Sequence, residues 1–371
     1  MAKGDSLADQ LFNRDTVGQL ASHFDDAGVF SADLFVSDVM NGLHDLELKA
    51  RICHIADVLA RHLPRDFGDA TAAIYQALPP PLDPSLQDDS FGHFIYEPLG
   101  VFVENHGLEG DTSRSLDLLE ALTMRFSMEF SIRAFLNKHP VETMQRVRSW
   151  ATHENYHVRR LASEGTRPRL PWGHNVGLTT DDTLPILDVL YADKTRFVTR
   201  SVANHLNDIA KTNPHAVIDR LDHWQSAGKQ SIKELTWMRK HALRGLIKAG
   251  HPAAMRHLGY KTDIRIDDAI ISIPAVIKRG EKISIAANFT LLDTGPMIID
   301  YVVDYMKSNG KTSPKVFKLK VLEGKADQDI TIAKSHHFND NASTFRLYAG
   351  AHAVHLQING RIVASAAFTL T

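Results

Sequence analysis

Residues 158–162 of this 371-residue chain, Val-Arg-Arg-Leu-Ala, are matched forty positions later by residues 198–202, Val-Thr-Arg-Ser-Val, and after forty more by residues 238–242, Met-Arg-Lys-His-Ala. Each segment has apolar residues at its first and fifth positions and a cation at its third. Residues four apart lie on one face of a helix, so the pattern predicts three helices with the same buried face. A repeat of about forty residues built from paired helices is typical of HEAT-type solenoids, which we predict here.

The helical pattern extends beyond these segments and covers Leu7–His251. Trp150 and Trp224 occupy matching places in helices that precede two of the repeats, which predicts that both are packing residues. Residues 78–90 contain four prolines and are predicted to form a loop between helical groups. The single cysteine, Cys53, has isoleucines nearby, which predicts a buried thiol and excludes an intramolecular disulfide.

The pattern changes to alternation after Tyr260. Residues 283–291 place Ile, Ile, Ala, Phe and Leu at every second position, as a half-buried strand does. Asn359-Gly360 separates two alternating runs, which is a strong signal for a tight hairpin. Six or seven short strands here predict an Ig-like sandwich. We therefore predict a mainly α chain, with a HEAT-like helical-repeat domain at residues 1–262 and a small all-β Ig-like domain at residues 263–371.

The net charge of −2 conceals an uneven distribution of charge. Residues 1–120 contain 7 Lys and Arg against 21 Asp and Glu, whereas residues 121–262 contain 22 against 12. The basic region favours a surface for a polyanion. The alternative is that it docks on the acidic region. Since there is no apolar run long enough to cross a bilayer and residues 1–5 do not open a secretory signal, we expect a cytoplasmic protein without a membrane partner.

The cations of the repeat are Arg160, Arg200 and Lys240, with Arg239 beside the last. On the inner helices of a solenoid, one cation per repeat would form a ladder that follows a phosphate backbone. The alternative is a solvated polar face that the repeats share. The sequence therefore predicts DNA contacts from these four residues.

Residues 155–172 read Asn-Tyr-His-Val-Arg-Arg-Leu-Ala-Ser-Glu-Gly-Thr-Arg-Pro-Arg-Leu-Pro-Trp and resemble the AlkC and AlkD DNA glycosylases. Residues 125–133 resemble the AlkC branch in particular, and some AlkC proteins also carry a C-terminal Ig-like domain. The chain departs from AlkD, whose helix carries a Trp and an Asp where this chain has Arg125 and Glu129. AlkD's second active-site Trp has Asn204 as its nearest counterpart, and Asn204 is a further candidate DNA contact.

The AlkC resemblance implies a DNA repair glycosylase that excises 3-methyladenine and 3-methylcytosine from double-stranded DNA without flipping the base into a pocket. We expect a monomer that needs no cofactor. A cationic base is already a good leaving group, so the enzyme must mainly stabilise the cationic sugar and position water. Glu129 and Glu164 are the candidate catalytic carboxylates. The alternative for Glu164 is a structural ion pair with Arg160, four residues earlier on the helix.

Arg167, Arg169 and Trp172 flank two prolines in a predicted loop, which would present their side chains to DNA. A hydrophobic plug between repeats is an equal alternative for Trp172. Residues 153–157 match the HExxH pattern of zinc proteases, but the repeat places the first histidine in a turn before a helix capped by Asn155, so we predict no metal site. The alternative function is a non-catalytic HEAT-repeat scaffold that binds nucleic acid or protein.

Overall fold

The computed structural model describes residues 6–85, 91–340 and 345–371. Their helices precede their strands, which confirms the predicted mainly α chain with a C-terminal Ig-like sandwich. Residues 78–85 of the predicted loop form no helix or strand, whereas residues 86–90 and 1–5 lie outside the described residues. The helices are α1 (Leu7–Leu11), α2 (Arg14–Asp26), α3 (Ala32–Leu43), α4 (Leu48–His62), α5 (Phe67–Ala77), the 3₁₀ helix η1 (Phe94–Tyr96), α6 (Glu97–Gly107), α7 (Thr112–Thr123), α8 (Ile132–Lys138), α9 (Pro140–Trp150), α10 (Tyr156–Glu164), α11 (Thr180–Leu190), α12 (Arg196–Ile209), α13 (Pro214–Ala227), α14 (Ile232–Ala242), α15 (Arg244–Lys248) and α16 (Pro252–His257).

The chain folds as two compact units. One runs to Ile209 and takes in His223–His241, and the other comprises Ala210–Asp222 and Ala242–Thr371. Helices α15 and α16 therefore belong to the same unit as the β-sheets, although their sequence continues the helical pattern. The predicted domain boundary between residues 262 and 263 stays a prediction. Among the described residues, no helix has the length and apolar character that a membrane span requires.

The forty-residue repeat corresponds to α10, α12 and α14, and its apolar positions have the predicted burial. The residues at the first and fifth positions are all fully buried: Val158, Ala162, Val198, Val202, Met238 and Ala242. The cations at the third position differ, since Arg160 is buried, Arg200 is half-buried and Lys240 is exposed. The repeat therefore fixes the packing face of each helix but gives its cations different surroundings.

The two tryptophans of the repeat are packing residues, as predicted. Trp150 at the end of α9 and Trp224 in α13 are both almost completely buried. Each indole N–H has an acidic acceptor, Glu120 for Trp150 and, at 2.7 Å, Asp188 for Trp224. Each tryptophan thus satisfies its one polar atom while its ring fills the core.

The prediction of a buried Cys53 is wrong, because its side chain is exposed. The buried stripe of α4 runs through Arg51, Ile55, Val58 and Leu59, at helical spacing that leaves Cys53 on another face. Arg51 belongs to this stripe because its guanidinium donates to carbonyl groups of the chain, including that of Phe12 at 2.9 Å. The apolar neighbours of Cys53 in sequence did not reveal which face it occupies.

The C-terminal region forms two sheets, antiparallel except for one short parallel pair of strands, with one hydrophobic core between them. The strands are β1 (Ile266–Ser272), β2 (Val276–Ile277), β3 (Lys282–Leu291), β4 (Gly295–Met306), β5 (Thr312–Gly324), β6 (Gln328–His337), β7 (Gly350–Ile358) and β8 (Arg361–Leu370). These eight strands of the described residues are more than predicted, because β2 is only two residues long and has no alternation to reveal it. One sheet has the order β1-β3-β6 and the other β2-β8-β7-β4-β5.

The predicted hairpin joins β7 to β8 through Asn359 and Gly360. Both residues have positive φ, 46° and 83°, as a two-residue hairpin turn requires. The Asn359 side chain is buried and accepts from the backbone N–H of Ile298 at 2.9 Å. The turn therefore joins β7 to β8 and also bonds to β4, the strand on the other side of β7. Burial also alternates in β3 as predicted for residues 283–291.

A buried histidine gives the sandwich a pH-dependent stability. His336 is 7% exposed, and its two ring nitrogens bond the hydroxyls of Tyr301 at 2.8 Å and Tyr305 at 2.9 Å. Burial, with lesser effects of Lys315 and His337, lowers the pKa of His336 to about 4. The unfolded chain would bind this proton near pH 6.5, so the stabilisation is complete above that value and is lost as pH falls towards 4.

We expect a His336→Gln chain, which cannot gain this charge, to lose less thermal stability than the parent between pH 7 and pH 4.5. His337→Gln is the matched control, because His337 is the exposed neighbour on the same strand. The measurement is the melting temperature of all three chains across this pH range. Parallel curves for the parent and His336→Gln would contradict the assignment.

Candidate active site

Five charged side chains from separate parts of the helical region meet in one place, which we call the acid–arginine cluster. Its members are Glu129, in the turn between α7 and α8; Arg160 and Glu164, in α10; Arg167, just after α10; and Asp208, near the end of α12. Arg160, Glu164, Arg167 and Asp208 are buried, and the side chain of Glu129 is 14% exposed. The structure thus brings both predicted catalytic carboxylates together with two of the predicted DNA-binding arginines.

Glu129 is held by a hydroxyl and a guanidinium. The Ser127 hydroxyl donates to its carboxylate at 2.7 Å, and Nη1 of Arg160 donates to the same oxygen at 2.7 Å. The Arg160 guanidinium in turn lies over the rings of Phe197 and Phe91, 4.6 and 5.2 Å from their centroids. Cation–π contact and ion pairing together fix the guanidinium, so the carboxylate has a defined position.

Glu164 is more deeply enclosed than Glu129. It accepts from Nη1 of Arg167 at 2.5 Å and from the Ser201 hydroxyl at 2.6 Å, and Nη2 of Arg160 is 3.9 Å away. Burial acts to raise the pKa of Glu164, but Arg160, Arg167 and the Ser201 bond outweigh it and hold the pKa below its usual value. Glu164 is therefore ionised at neutral pH. The predicted ion pair with Arg160 exists, at a longer distance than the contact with Arg167.

Arg167 does not reach towards solvent, and the prediction that the loop presents it is wrong. Its side chain turns inward because two carboxylates lie there: Glu164, and Asp208, which is 2.9 Å from Nε. Asp208 is a residue that sequence reasoning missed. In the sequence, Asp208 lies between Leu206 and Ile209, two apolar residues of α12. The structure shows that most residues of this helix are buried.

Arg133 of α8 supports the loop that follows α10 and was also missed as a site residue. It is fully buried, and its guanidinium donates to the carbonyls of Gly165 at 2.8 Å, Arg167 at 2.9 Å and His174. Burial and the nearby Arg167 lower the pKa of Arg133 to about 10, which leaves it charged at neutral pH. One guanidinium thus binds three carbonyls of a single loop. These bonds fix the backbone that carries Trp172.

A groove of about 320 Å³ opens above the acid–arginine cluster. Its lining includes Trp172, which is 63% exposed and has a positive φ of 67°. A plug between repeats would be buried, so the exposure contradicts that alternative. The Lys49 ammonium donates to the Trp172 carbonyl at 3.0 Å. The structure therefore presents the indole at the rim of the groove, in a backbone conformation that is costly for a bulky residue.

The other predicted DNA contacts fall into two groups. Arg200 and Asn204 of α12 line the groove, and Asn204 is bonded to His241 at 2.8 Å. Arg169 and Lys240 are exposed and Arg239 is half-buried, and these three are not part of its lining. The structure thus places two of the five residues beside the carboxylates and three away from them.

The HExxH pattern has a structural explanation in the start of α10. Asn155 is the residue before the helix, and its side chain accepts from the backbone N–H of His157 at 2.9 Å. His153 lies before this cap, and His157 is buried in the first helical turn. The two histidines therefore do not share the face of one helix. Nowhere in the described parts of the chain do three or more His, Cys, Asp or Glu residues form a group that could hold a metal ion.

Comparison with known proteins gives matches over most of the chain. A family model described as "DNA alkylation repair enzyme" matches residues 125–246, and one described as "Uncharacterised protein YhaZ, C-terminal Ig-like domain" matches residues 268–371. YhaZ of Bacillus subtilis is 30% identical over 365 residues, which cover 95% of this chain and 96% of YhaZ. The structure of Pseudomonas fluorescens alkylpurine DNA glycosylase AlkC bound to DNA containing an abasic site analog is similar with a TM-score of 0.85 and 32% identity, over 99% of this chain and 100% of AlkC.

Proposed function

Because this chain belongs to the AlkC family of DNA alkylation repair glycosylases, we propose that it excises cationic alkylated bases, 3-methyladenine and 3-methylcytosine, from double-stranded DNA. The observation that carries the proposal is the placement of Glu129 and Glu164 in the lining of one groove, within a basic region. A surface that only binds DNA gains nothing from carboxylates there, because they repel phosphates.

The proposed chemistry needs charge stabilisation more than acid catalysis. As the bond from the sugar C1′ to the base breaks, its electron pair passes to the cationic base, which leaves neutral, and the sugar becomes a cation. An ionised carboxylate fixed near C1′ stabilises that cation. Water then adds to C1′ and loses a proton, which leaves an abasic site. Glu129 and Glu164 are the residues we assign to stabilising the sugar and positioning the water.

The neighbouring arginines prepare these carboxylates for that role. Arg160 and Arg167 keep the acids charged and hold them in place before DNA binds, so little reorganisation is needed when the sugar becomes cationic. We further propose that the base reacts without rotating into a pocket of its own, since the carboxylates lie at the floor of a groove whose rim carries an exposed Trp172.

A glycosylase assay tests this function directly. We expect single-turnover release of 3-methyladenine and 3-methylcytosine from double-stranded DNA, with no release of normal bases from the same duplex. DNA binding without release of either methylated base would instead favour the non-catalytic scaffold.

DNA binding is proposed to depend on the exposed cations outside the groove. Lys240 is exposed, so its ammonium is available to a phosphate. We expect Lys240→Glu to weaken binding to all sequences alike and to reduce the slope of log affinity against log salt by about one unit. Arg65→Glu, an exposed cation in the acidic first third of the chain, is the control and should leave the slope unchanged. An unchanged slope in Lys240→Glu would remove Lys240 from the interface.

A further inference from the structure

A second cavity, of about 240 Å³, lies beside the groove and is not used by the proposed reaction. Phe130 and Trp172 line both spaces, so they form the partition between them. The cavity is smaller than the roughly 300–1,000 Å³ of drug-sized sites, which suits a single small heterocycle. Its walls combine the aromatic rings of Phe94, Phe130 and Trp172 with a few polar groups.

Two of the polar groups at this cavity have no hydrogen-bond partner in the protein. Glu97, the first residue of α6, is 3% exposed, and its Oε2 atom is buried and unpaired. Ser131, which also lines the cavity, is 1% exposed, and its Oγ atom is unpaired. A buried carboxyl without a partner costs free energy, so such groups are usually completed by a water, an ion or a ligand.

The protonation state of Glu97 indicates what kind of ligand would complete it. Burial raises its pKa well above the usual value, and the nearby Glu129 and Glu104 raise it further. This direction favours the neutral carboxyl, which has one O–H donor beside one C=O acceptor. The edge of adenine that carries N7 and the N6 amino group has the complementary pair, an acceptor beside a donor. A methyl group at N3 leaves that edge free.

We propose that this cavity binds a free aminopurine, and in particular the alkylated base released by the glycosylase reaction, with Glu97 and Ser131 as its hydrogen-bonding partners. The inference rests on the proposed function, because only excision would supply this base next to the partition formed by Phe130 and Trp172. The aromatic walls stack on the faces of the purine, and the carboxyl pairs with its N6/N7 edge. The site would hold the product away from the abasic sugar.

Calorimetric titration of the full chain with free 3-methyladenine, in the absence of DNA, tests the proposal. We expect Glu97→Gln to keep the affinity within about threefold, because an amide also offers a donor beside an acceptor. Glu97→Leu should bind at least about tenfold more weakly, since it removes both hydrogen bonds. Unmethylated purine, which lacks the amino group, should also bind about tenfold more weakly than 3-methyladenine.

A loss of folding is not expected to account for the weaker binding of Glu97→Leu. Replacing an unpaired buried carboxyl by Leu should leave the melting temperature unchanged or raise it. Ser131→Ala removes the second unpaired group and provides an independent variant, with an expected loss of several-fold in affinity. Equal affinity of the parent, Glu97→Leu and Ser131→Ala would overturn the assignment of the cavity.

Single-turnover excision, run on the same preparations, separates this inference from the proposed function. Normal excision by a parent chain that does not bind free 3-methyladenine would overturn the product site and leave the glycosylase function intact. Absence of excision would refute the function itself, and with it the identification of the ligand as a released base. Normal excision with tight binding that Glu97→Leu abolishes would support both.

Discussion

A Glu129→Gln chain is expected to excise 3-methyladenine at least about a hundredfold more slowly than the parent, the scale of loss when one electrostatic stabiliser is removed from an active site. Glutamine preserves the size of the side chain and can still accept from the Ser127 hydroxyl and from Arg160. What it removes is the negative charge. Binding to undamaged DNA should hold or tighten, because a charge that repels phosphates has gone.

The rate should be measured in single turnover, together with melting temperature and DNA affinity. Glu154→Gln is the matched control, because Glu154 is an exposed acid just before α10, outside the acid–arginine cluster. Its excision rate should equal that of the parent. We expect Glu164→Gln to show a similar loss of rate, with an additional loss of stability because Glu164 is more deeply enclosed. Normal excision per folded molecule in both variants would refute the catalytic assignment.

Replacing Arg167 by Met is expected to lower the free energy of unfolding by about 3–5 kcal/mol, the usual result of removing one partner from a buried ion pair. The reason is that Asp208 and Glu164 would both remain buried, and the remaining guanidinium near Glu164 is 3.9 Å away. Arg169→Met is the control, since Arg169 is exposed only two residues further along, and its effect should stay within about 0.5 kcal/mol.

The difference between Arg167→Met and the parent should also depend on pH. In the folded parent the pKa of Glu164 is below its usual value, so this carboxylate contributes stability above the pKa of the unfolded chain. That contribution is lost as pH falls through the lower, folded value. Urea unfolding at pH 7 and at pH 4 should therefore give a smaller difference at the lower pH. Equal stability of Arg167→Met and Arg169→Met at pH 7 would contradict the structural role of Arg167.

The sequence allowed the helices to be predicted more securely than the surroundings of individual charges. The forty-residue repeat predicted the buried faces of α10, α12 and α14, because burial at helical spacing leaves a periodic pattern. The direction of Arg167 could not be predicted, since it depends on Asp208, forty-one residues away in the chain. Contacts of this kind depend on how helices pack, which no local pattern records.

Burial that depends on packing between distant segments also could not be predicted for residues without a charge partner in their own segment. Glu97 gave no sequence signal, because an acid at the first position of a helix is ordinary. The cavity beside it is completed by α4 and by the turn before α8, which are distant in the sequence. Cys53 was assigned to the wrong face for a similar reason. The AlkC resemblance, by contrast, pointed to Glu129 and Glu164, and the structure places both in one groove.

Apart from Arg200 in the groove lining, the formal charges of the acid–arginine cluster and Arg133 cancel, and under the proposed function this has a consequence for how the protein would search DNA. The carboxylates of Glu129, Glu164 and Asp208 lie among the guanidinium groups of Arg160, Arg167 and Arg133. We expect this balanced centre to give little net attraction to the backbone of intact duplex, so that exposed cations elsewhere govern sliding and hopping. In the proposed reaction, the centre would gain a favourable interaction only where a sugar begins to carry positive charge. We therefore expect scanning speed and lesion commitment to depend on different residues, so that one can change without the other.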